Sequence, residues 1–153
     1  ERALSEISMA IRERALEKGL SPAAVEVFAG EVGVIGFELM DFVIIDSAGI
    51  NSPEVYEIRR RDWERLRAER PASDWREKWS GSPAWSREVI EKYQPEFIAS
   101  DLDYLHLRTL LRDPGFNAVY QPVRGPWTYL DPETGTRQII LLERKRGAAE
   151  LLP

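Results

Sequence analysis

The short run Phe42-Val43-Ile44-Ile45-Asp46 constrains the fold of this chain more than any other feature. Four apolar residues stand together, three of them β-branched, and no polar residue alternates with them. This is the pattern of a strand that is covered on both faces, as in a sheet flanked by helices. We therefore expect residues 42–46 to form the central strand of an α/β domain.

Helical and extended segments alternate on either side of this run. Apolar residues at spacings of three and four mark an amphipathic helix over residues 3–18, and Gly19 ends it. The segment Asn51-Ser52-Pro53-Glu54 is typical of a helix start, and so is the pair Ser82-Pro83. The pattern predicts helices over residues 3–18, 31–37, 51–68, 82–93 and 102–111, and strands over residues 25–29, 42–46, 97–100 and 117–120.

The last extended segments predict a β-hairpin. Residues 127–130 and 137–143 flank Asp131-Pro132-Glu133-Thr134-Gly135, a loop rich in turn-forming residues. Alternating strands and helices favour a parallel sheet with helices on both faces. We therefore expect a three-layer α/β fold with a mainly parallel sheet and a C-terminal antiparallel β-hairpin at one edge.

Length and composition indicate one globular domain. The chain has 153 residues, of which 43% are hydrophobic and 31% charged, which is enough to build a core. We expect a single α/β domain over residues 1–146, with a Trp- and Arg-rich excursion at 63–92 and a frayed tail at 147–153. Because the chain begins at Glu1 rather than at a methionine, we expect it to be part of a longer protein.

Residue types and motifs exclude several kinds of chemistry. The chain has no cysteine and one histidine, His106, so we expect no metal site and no cofactor. The net charge of −5 gives no electrostatic drive toward nucleic acid. The series Gly30, Gly33, Gly36 lacks the first glycine pair of a dinucleotide-binding fingerprint. We read His106 as structural, and no catalytic residue is assigned.

Polar residues follow three of the predicted strands. Glu31, Asp46 and Asp101 stand at or just after strand ends, and Asn51 follows a few residues later. Ligands favour this edge of an open parallel sheet, where a carboxylate pair could act as acid and base or hold a divalent cation. Alternatively, Asp46 and Asp101 cap helices or tie loops to backbone N–H groups, which is the interpretation we favour. Glu31, Asp46, Asn51 and Asp101 are kept as candidate ligand-binding residues.

Four of the five tryptophans lie in the 63–92 excursion, where arginines are interleaved with them. Such a surface could stack on carbohydrate or dock a protein, and Trp75 and Trp79 are the candidates for that role. Alternatively, the rings seal the excursion onto the domain, which is the interpretation we favour. The nearby run Arg59-Arg60-Arg61 lies among carboxylates and predicts a solvated helix face rather than a nucleic-acid patch.

Two segments of the chain resemble a known sequence pattern. Residues 33–37 and 43–55 are similar to "G-x-I-G-Y/F … V-I-D-x-x-G-L-x-x-P-E-V", and residues 93–99 are similar to "x-x-P-D-x-I-V". The pattern occurs in the C-terminal soluble domains of bacterial GT-C-fold glycosyltransferases, the mannosyl- and arabinofuranosyltransferase-like proteins that use polyprenyl-phosphate sugars. The matching motifs cover about residues 24–58 and 93–101. Ile50 stands where the pattern has Leu, and the 63–92 excursion has no counterpart.

The resemblance implies a non-catalytic domain of a membrane-embedded enzyme that transfers a sugar from a polyprenyl-phosphate donor to a cell-envelope acceptor. In such enzymes the catalytic acidic residues lie in the membrane portion, so none is carried over to this chain. The implied location is the extracytoplasmic side of the cell membrane. The implied partners are the membrane portion of the same polypeptide and a glycan or cell-envelope acceptor. We expect the isolated domain to be monomeric.

Two other functions stay open from the residues alone. The strand-end acidic residues would suit a stand-alone α/β hydrolytic enzyme that binds a small molecule or a metal. The Trp- and Arg-rich excursion would suit a protein-interaction module.

Overall fold

The computed structural model describes residues 2–69, 81–131 and 135–148. This part of the chain contains six helices and five strands, and a 3₁₀ turn over Pro22–Ala24 leads into the first strand. The helices are α1 (Arg2–Glu17), α2 (Val32–Glu38), α3 (Pro53–Glu69), α4 (Pro83–Tyr93), α5 (Leu107–Leu110) and α6 (Pro114–Val119). The strands are β1 (Glu26–Ala29), β2 (Val43–Asp46), β3 (Phe97–Asp101), β4 (Tyr120–Asp131) and β5 (Gly135–Arg144).

The five strands form one open sheet in the order β2-β1-β3-β5-β4. β1 pairs in parallel with β2 and β3, whereas β5 pairs antiparallel with β3 and β4. The α/β class is therefore confirmed, but the sheet is mixed, so the expected mainly parallel sheet is not confirmed. The reason is the C-terminal hairpin, because its inner strand β5 lies directly beside β3 and provides both antiparallel pairings.

The predicted C-terminal hairpin is confirmed, with β4 at the edge of the sheet. Trp127 lies opposite Ile139 in its register, and the turn residues 132–134 lie outside the described residues. β4 begins earlier than expected and includes Pro122, which an edge strand tolerates because not all of its N–H groups need a partner. Register shifts on either side of Arg124 mark irregularities in the pairing.

β2 is an edge strand, so the prediction that residues 42–46 form the central strand was wrong. β3 is the middle strand and all of its residues are buried, whereas Val43 of β2 is 42% exposed. An apolar run indicates that the two faces of a strand are covered above and below the sheet. It does not indicate whether another strand is hydrogen-bonded on each side. Ile45 and Ile44 pack into different hydrophobic clusters, which explains the apolar pattern of β2.

Two hydrophobic clusters lie on opposite sides of the sheet, since neighbouring residues of one strand belong to different clusters. The first cluster contains Phe28 and Ile98 together with apolar residues of α3, α4, α5 and α6. The second contains Val27 and Phe97 together with apolar residues of α1 and α2. We refer to them as the α3/α4 side and the α1/α2 side of the sheet.

The helix expected over residues 102–111 is shorter in the structure. Only Leu107–Leu110 is helical, and residues 102–105 form turns. Oδ1 of Asp101 accepts hydrogen bonds from the N–H groups of Asp103 and Tyr104 and so holds these turns. The Asp101 carboxylate therefore stabilises these turns and does not cap a long helix.

The strand expected over residues 117–120 was also wrong, because residues 117–119 belong to helix α6 and β4 follows directly. Asp113 accepts a hydrogen bond from the N–H of Gly115, and Pro114 stands in the first turn. This is a helix start of the usual kind. Apolar residues 118–120 come after this start, and their pattern alone favours a strand.

Most of the described part of the 63–92 excursion is helical. Residues 63–69 complete α3, and α4 begins at Pro83 as predicted, with Ser82 Oγ accepting a hydrogen bond from the N–H of Ala84. α3 and α4 lie side by side, joined by ion pairs such as Arg61–Glu88. Residues 70–80, which include Trp75 and Trp79, lie outside the described residues.

Candidate functional site

The C-terminal ends of the three parallel strands β1, β2 and β3 lie next to one another. We call this end of the sheet the strand-end edge. Ala29, the last residue of β1, pairs with Asp46 at the end of β2 and with Ala99 of β3, two residues before Asp101. Asp46 and Asp101 therefore lie at a common edge, as their positions after the strands predict. Glu31 stands in the connection from β1 to α2, and Asn51 in the connection from β2 to α3.

Asp46 organises the loop that follows β2. Its side chain is buried, and its carboxylate accepts hydrogen bonds from the N–H groups of Ala48 (2.8 Å), Ile50 (2.9 Å) and Asn51 (3.1 Å). Gly49 has a φ of +78°, and a Cβ added there would lie 2.7 Å from Cβ of Tyr56, so the loop requires glycine. Both carboxylate oxygens of Asp46 are thus used to hold the loop.

The other three candidates at this edge do not form a metal-binding cluster with Asp46. Asp101 is buried and closes the turns after β3. Glu31 is half-buried and makes no side-chain hydrogen bond that caps α2, and Asn51 is exposed. Within the ranges that the structure covers, no three Asp, Glu or His side chains gather as they would around a metal ion.

Replacing Asp46 with asparagine is expected to lower the free energy of unfolding by about 2–4 kcal/mol. One acceptor oxygen would become an NH₂ group that faces backbone N–H donors, and these donors would lose their charged acceptor. Urea unfolding at neutral pH is the measurement. Asp103→Asn is the matched control, because Asp103 is exposed and pairs with Arg108 at the surface. A loss below about 0.5 kcal/mol in Asp46→Asn would contradict the structural role.

A row of small residues crosses the strand-end edge on the α3/α4 side. Ser47, Gly30 and Ser100 each stand two residues after a strand residue that faces this side, and so they face it as well. A Cβ added to Gly30 would lie 2.1 Å from Oγ of Ser100. The hydroxyls of Ser47 and Ser100 are buried and make no hydrogen bond in the described chain. β1 and β3 therefore leave no room for a side chain at Gly30.

Gly30→Ala is expected to destabilise the fold by about 1–3 kcal/mol, because its methyl group overlaps the Ser100 side chain. Ser100→Gly in the same chain removes the overlapping atoms and should restore part of the loss. The measurement is a double-mutant cycle by urea unfolding. We expect a coupling energy above about 1 kcal/mol, and simple addition of the two single losses would contradict the contact.

Arg59 of α3 covers this row of small residues. Its Nη1 donates hydrogen bonds to the carbonyl of Ser47 (2.8 Å) and to the hydroxyl of Tyr104 (3.3 Å). Its guanidinium carbon lies 4.7 Å from the ring centre of Trp85 and 5.7 Å from that of Tyr104. Trp85 in turn meets the ring of Phe28 edge to face. Arg59 thus ties α3, α4 and the turns after β3 to the end of β2.

The sequence pattern did not predict this position of Arg59. The run Arg59-Arg60-Arg61 predicts a solvated face, and Arg60 and Arg61 do lie on one, each exposed and paired with a glutamate. Consecutive helical residues are about 100° apart, so three in a row cannot share one face. Arg59 stands four residues after buried Val55, and that spacing is the signal that could have identified it.

The described part of the strand-end edge holds no arranged nucleophile and base. A serine nucleophile needs a base within hydrogen-bond reach, and the buried hydroxyls of Ser47, Ser86 and Ser100 make no hydrogen bond in the described chain. His106 has a φ of +55° and stands just before α5, not inside a helix as expected. The groups at this edge organise loops and helix contacts.

A buried ion pair lies at the opposite edge of the sheet. Glu143 of β5, with a side chain only 3% exposed, accepts three hydrogen bonds from Arg14 of α1 (2.7–3.0 Å) and one from Gln121 (2.9 Å). Burial alone would raise the pKa of Glu143, but the hydrogen bonds from Arg14 and Gln121 and the charge of Lys18 hold that pKa below its usual value. Glu143 is therefore an ionised, buried group that fastens α1 to β5.

Comparison with known proteins identifies no relative of this chain. No family model, no curated protein and no solved structure matches it. Among the helices described here, none has the length and apolar character needed to cross a bilayer. Function therefore has to be inferred from the residues of this chain.

Proposed function

We propose that this chain is a non-catalytic extracytoplasmic domain of a membrane-embedded glycosyltransferase. The whole enzyme would transfer a sugar from a polyprenyl-phosphate donor to a cell-envelope acceptor. The observation that carries the proposal is the sequence series from Gly36 through Asp46 and Gly49 to Pro53. The last three of these build the connection from β2 to α3, where Asp46 binds the loop, Gly49 permits the turn and Pro53 starts the helix. A shared pattern that maintains architecture rather than chemistry suits a non-catalytic domain.

The arrangement of the domain supports a binding or positioning role. We interpret the two hydrophobic clusters as the contacts of a three-layer α/β domain, with the sheet between two layers of helices. Asp46 and Asp101 accept hydrogen bonds from backbone N–H groups. The catalytic acidic residues would therefore be supplied by the membrane portion of the same polypeptide. This domain would lie on the extracytoplasmic side of the cell membrane and help to bind a glycan acceptor.

The two alternative functions have less support. A hydrolytic or metal-dependent enzyme would need the Asp46 carboxylate, yet both of its oxygens are used by the loop. A docking surface of tryptophans would not include Trp85, which is 1% exposed and packs in the core. Trp75 and Trp79, the candidates for such a surface, lie outside the described residues.

The test is expression of the complete gene and assay of its membranes. We expect several apolar segments of about 20 residues upstream of Glu1. These membranes should transfer labelled sugar from a polyprenyl-phosphate donor, and deletion of residues 1–153 should lower that transfer. Glu64→Gln, an exposed change on α3 outside the strand-end loops, is the control variant and should leave transfer unchanged.

Two outcomes would overturn this proposal. One is a complete protein without membrane-spanning segments. The other is an isolated 153-residue chain that transfers sugar or hydrolyses a substrate by itself, because the domain would then carry its own catalytic groups.

A further inference from the structure

A positively charged groove lies at the edge of the sheet opposite the strand-end candidates. It consists of two adjoining cavities of about 380 and 540 Å³, both lined by Lys18, Arg144, Lys145 and Arg146. The lining residues of the two cavities include five cations and three carboxylates, a local charge of +2 on a chain of net charge −5. The groove is therefore a positive site on an acidic protein.

The excess charge comes from the end of β5. Arg144, Lys145 and Arg146 donate hydrogen bonds to neutral acceptors, namely the Gln94 side chain and two backbone carbonyls. In residues 2–69, 81–131 and 135–148, no ion pair uses any of these three cations. Their charges therefore face the groove without a carboxylate to balance them.

The three carboxylates of the groove are engaged by Arg14 of α1 and by Lys18, the residue directly after α1. Arg14 binds Glu143 and Glu17, and Lys18 binds Glu96. Lys18 also donates a hydrogen bond to the carbonyl of Arg144 (2.6 Å), which ties the end of α1 to the end of β5. These contacts hold the two walls of the groove together, so an anion would enter a site that is already formed.

We propose that this groove binds a phosphate group, either free or in the headgroup of an anionic lipid. A guanidinium group offers paired N–H donors that match two phosphate oxygens, and a lysine adds a compact charge. Arg144 and Arg146 supply the first kind of donor and Lys145 the second. The proposal does not depend on the proposed glycosyltransferase, because it rests only on the charges and contacts of this groove.

The experiment uses two probes on the 153-residue chain. The isotopically labelled chain is titrated with inorganic phosphate and followed by NMR, with chloride at equal ionic strength as the reference. In parallel, the fraction of the chain that sediments with phosphatidylglycerol vesicles is compared with the fraction that sediments with phosphatidylcholine vesicles. We expect saturable binding, with shifts in the amides of residues 144–146.

Two double variants distinguish binding in this groove from binding that depends only on the net charge of the chain. Lys145→Gln/Arg146→Gln should weaken binding at least about tenfold, because two charge-assisted hydrogen bonds are lost. Arg60→Gln/Arg61→Gln on α3 changes the net charge by the same amount and should leave binding unchanged. Thermal unfolding of both double variants verifies that the fold is retained.

The outcomes decide both the proposal and the source of the phosphate. Phosphate-specific shifts would identify free phosphate as a ligand, and binding to phosphatidylglycerol vesicles alone would identify the lipid headgroup. The proposal is overturned if neither probe binds. It is also overturned if the two double variants weaken binding equally, because net charge would then explain the effect.

Discussion

Replacing Trp85 with alanine is expected to lower the free energy of unfolding by about 3–5 kcal/mol. Trp85 is 1% exposed, and its ring lies 6.3 Å from the ring of Phe28 in an edge-to-face contact. The guanidinium of Arg59 lies 4.7 Å from the indole ring centre. Alanine would leave a cavity where α3, α4 and the sheet meet, and it would remove both contacts. The melting temperature should fall by about 10 °C or more.

Trp63→Ala is the matched control for this prediction. Trp63 lies on α3, is 37% exposed and contacts Arg67, so its removal should cost only about 1 kcal/mol. Thermal unfolding of the native chain and both variants, followed by circular dichroism, is the measurement. A Trp85→Ala protein as stable as the native chain would show that the ring is not needed in the core.

Helix starts could be predicted from the sequence because the capping chemistry is local. Ser82-Pro83 predicts the start of α4, and the Ser82 side chain accepts the expected hydrogen bond. Asp113-Pro114-Gly115 carries the same signal for α6, yet the pattern of residues 117–120 predicts a strand. The short apolar segment Ala118-Val119-Tyr120 does not distinguish a strand from the buried end of a helix. In this segment the helix start at Asp113-Pro114 is therefore a stronger signal than the apolar residues that follow it.

The lateral order of the strands could not be predicted from these patterns. Phe42, Ile44 and Ile45 pack in the two hydrophobic clusters that helices help to form, but β2 lies at the edge of the sheet. The turn residues 131–135 predict that β4 pairs with β5, and they do not predict that β5 lies beside β3. Strands pair through backbone groups that nearly all residues have in common. The side-chain pattern indicates only which faces of a strand are buried above and below the sheet.

The positions of the candidate site residues could be predicted better than their roles. Asp46 and Asp101 follow from the topology, because parallel strands end at one edge. The three N–H groups that Asp46 binds depend on the path of the loop, which the sequence does not specify. The positive groove joins Lys18 to Arg144, 126 residues away along the chain, so no local pattern could reveal it.

Replacing Arg14 with methionine is expected to lower the free energy of unfolding by about 3 kcal/mol at neutral pH. Methionine keeps much of the apolar stem but removes three hydrogen bonds to Glu143. The carboxylate would stay buried, with a hydrogen bond from Gln121 and with Lys18 at 3.7 Å. Removing one partner of a buried ion pair is costly because the remaining charge is left without compensation.

The pH dependence of this loss follows from the pKa of Glu143. In the native chain, that pKa lies below its ordinary value of 4.5 in spite of burial. The ionised Glu143 therefore stabilises the fold above about pH 4.5, and this stabilisation is lost as the pH falls through the lower pKa of the folded state. Without Arg14, burial should raise the pKa of Glu143. Glu143 should therefore have a higher pKa in the folded variant than in the folded native chain. As the pH falls from the higher to the lower of these two pKa values, the difference in stability between the two proteins should shrink.

Urea unfolding at pH 7 and pH 4 of the native chain, Arg14→Met, Glu143→Gln and the double variant provides the test. Glu143→Gln should cost less, about 1 kcal/mol, because the Arg14 side chain is 34% exposed and still pairs with Glu17. The double variant should be more stable at pH 7 than Arg14→Met alone, since no charge is left at position 143. Equal losses at both pH values, or a double variant equal to the sum of the single changes, would contradict this account. Arg14 would then stabilise the fold independently of the Glu143 charge, and Lys18 and Gln121 would suffice to compensate that charge.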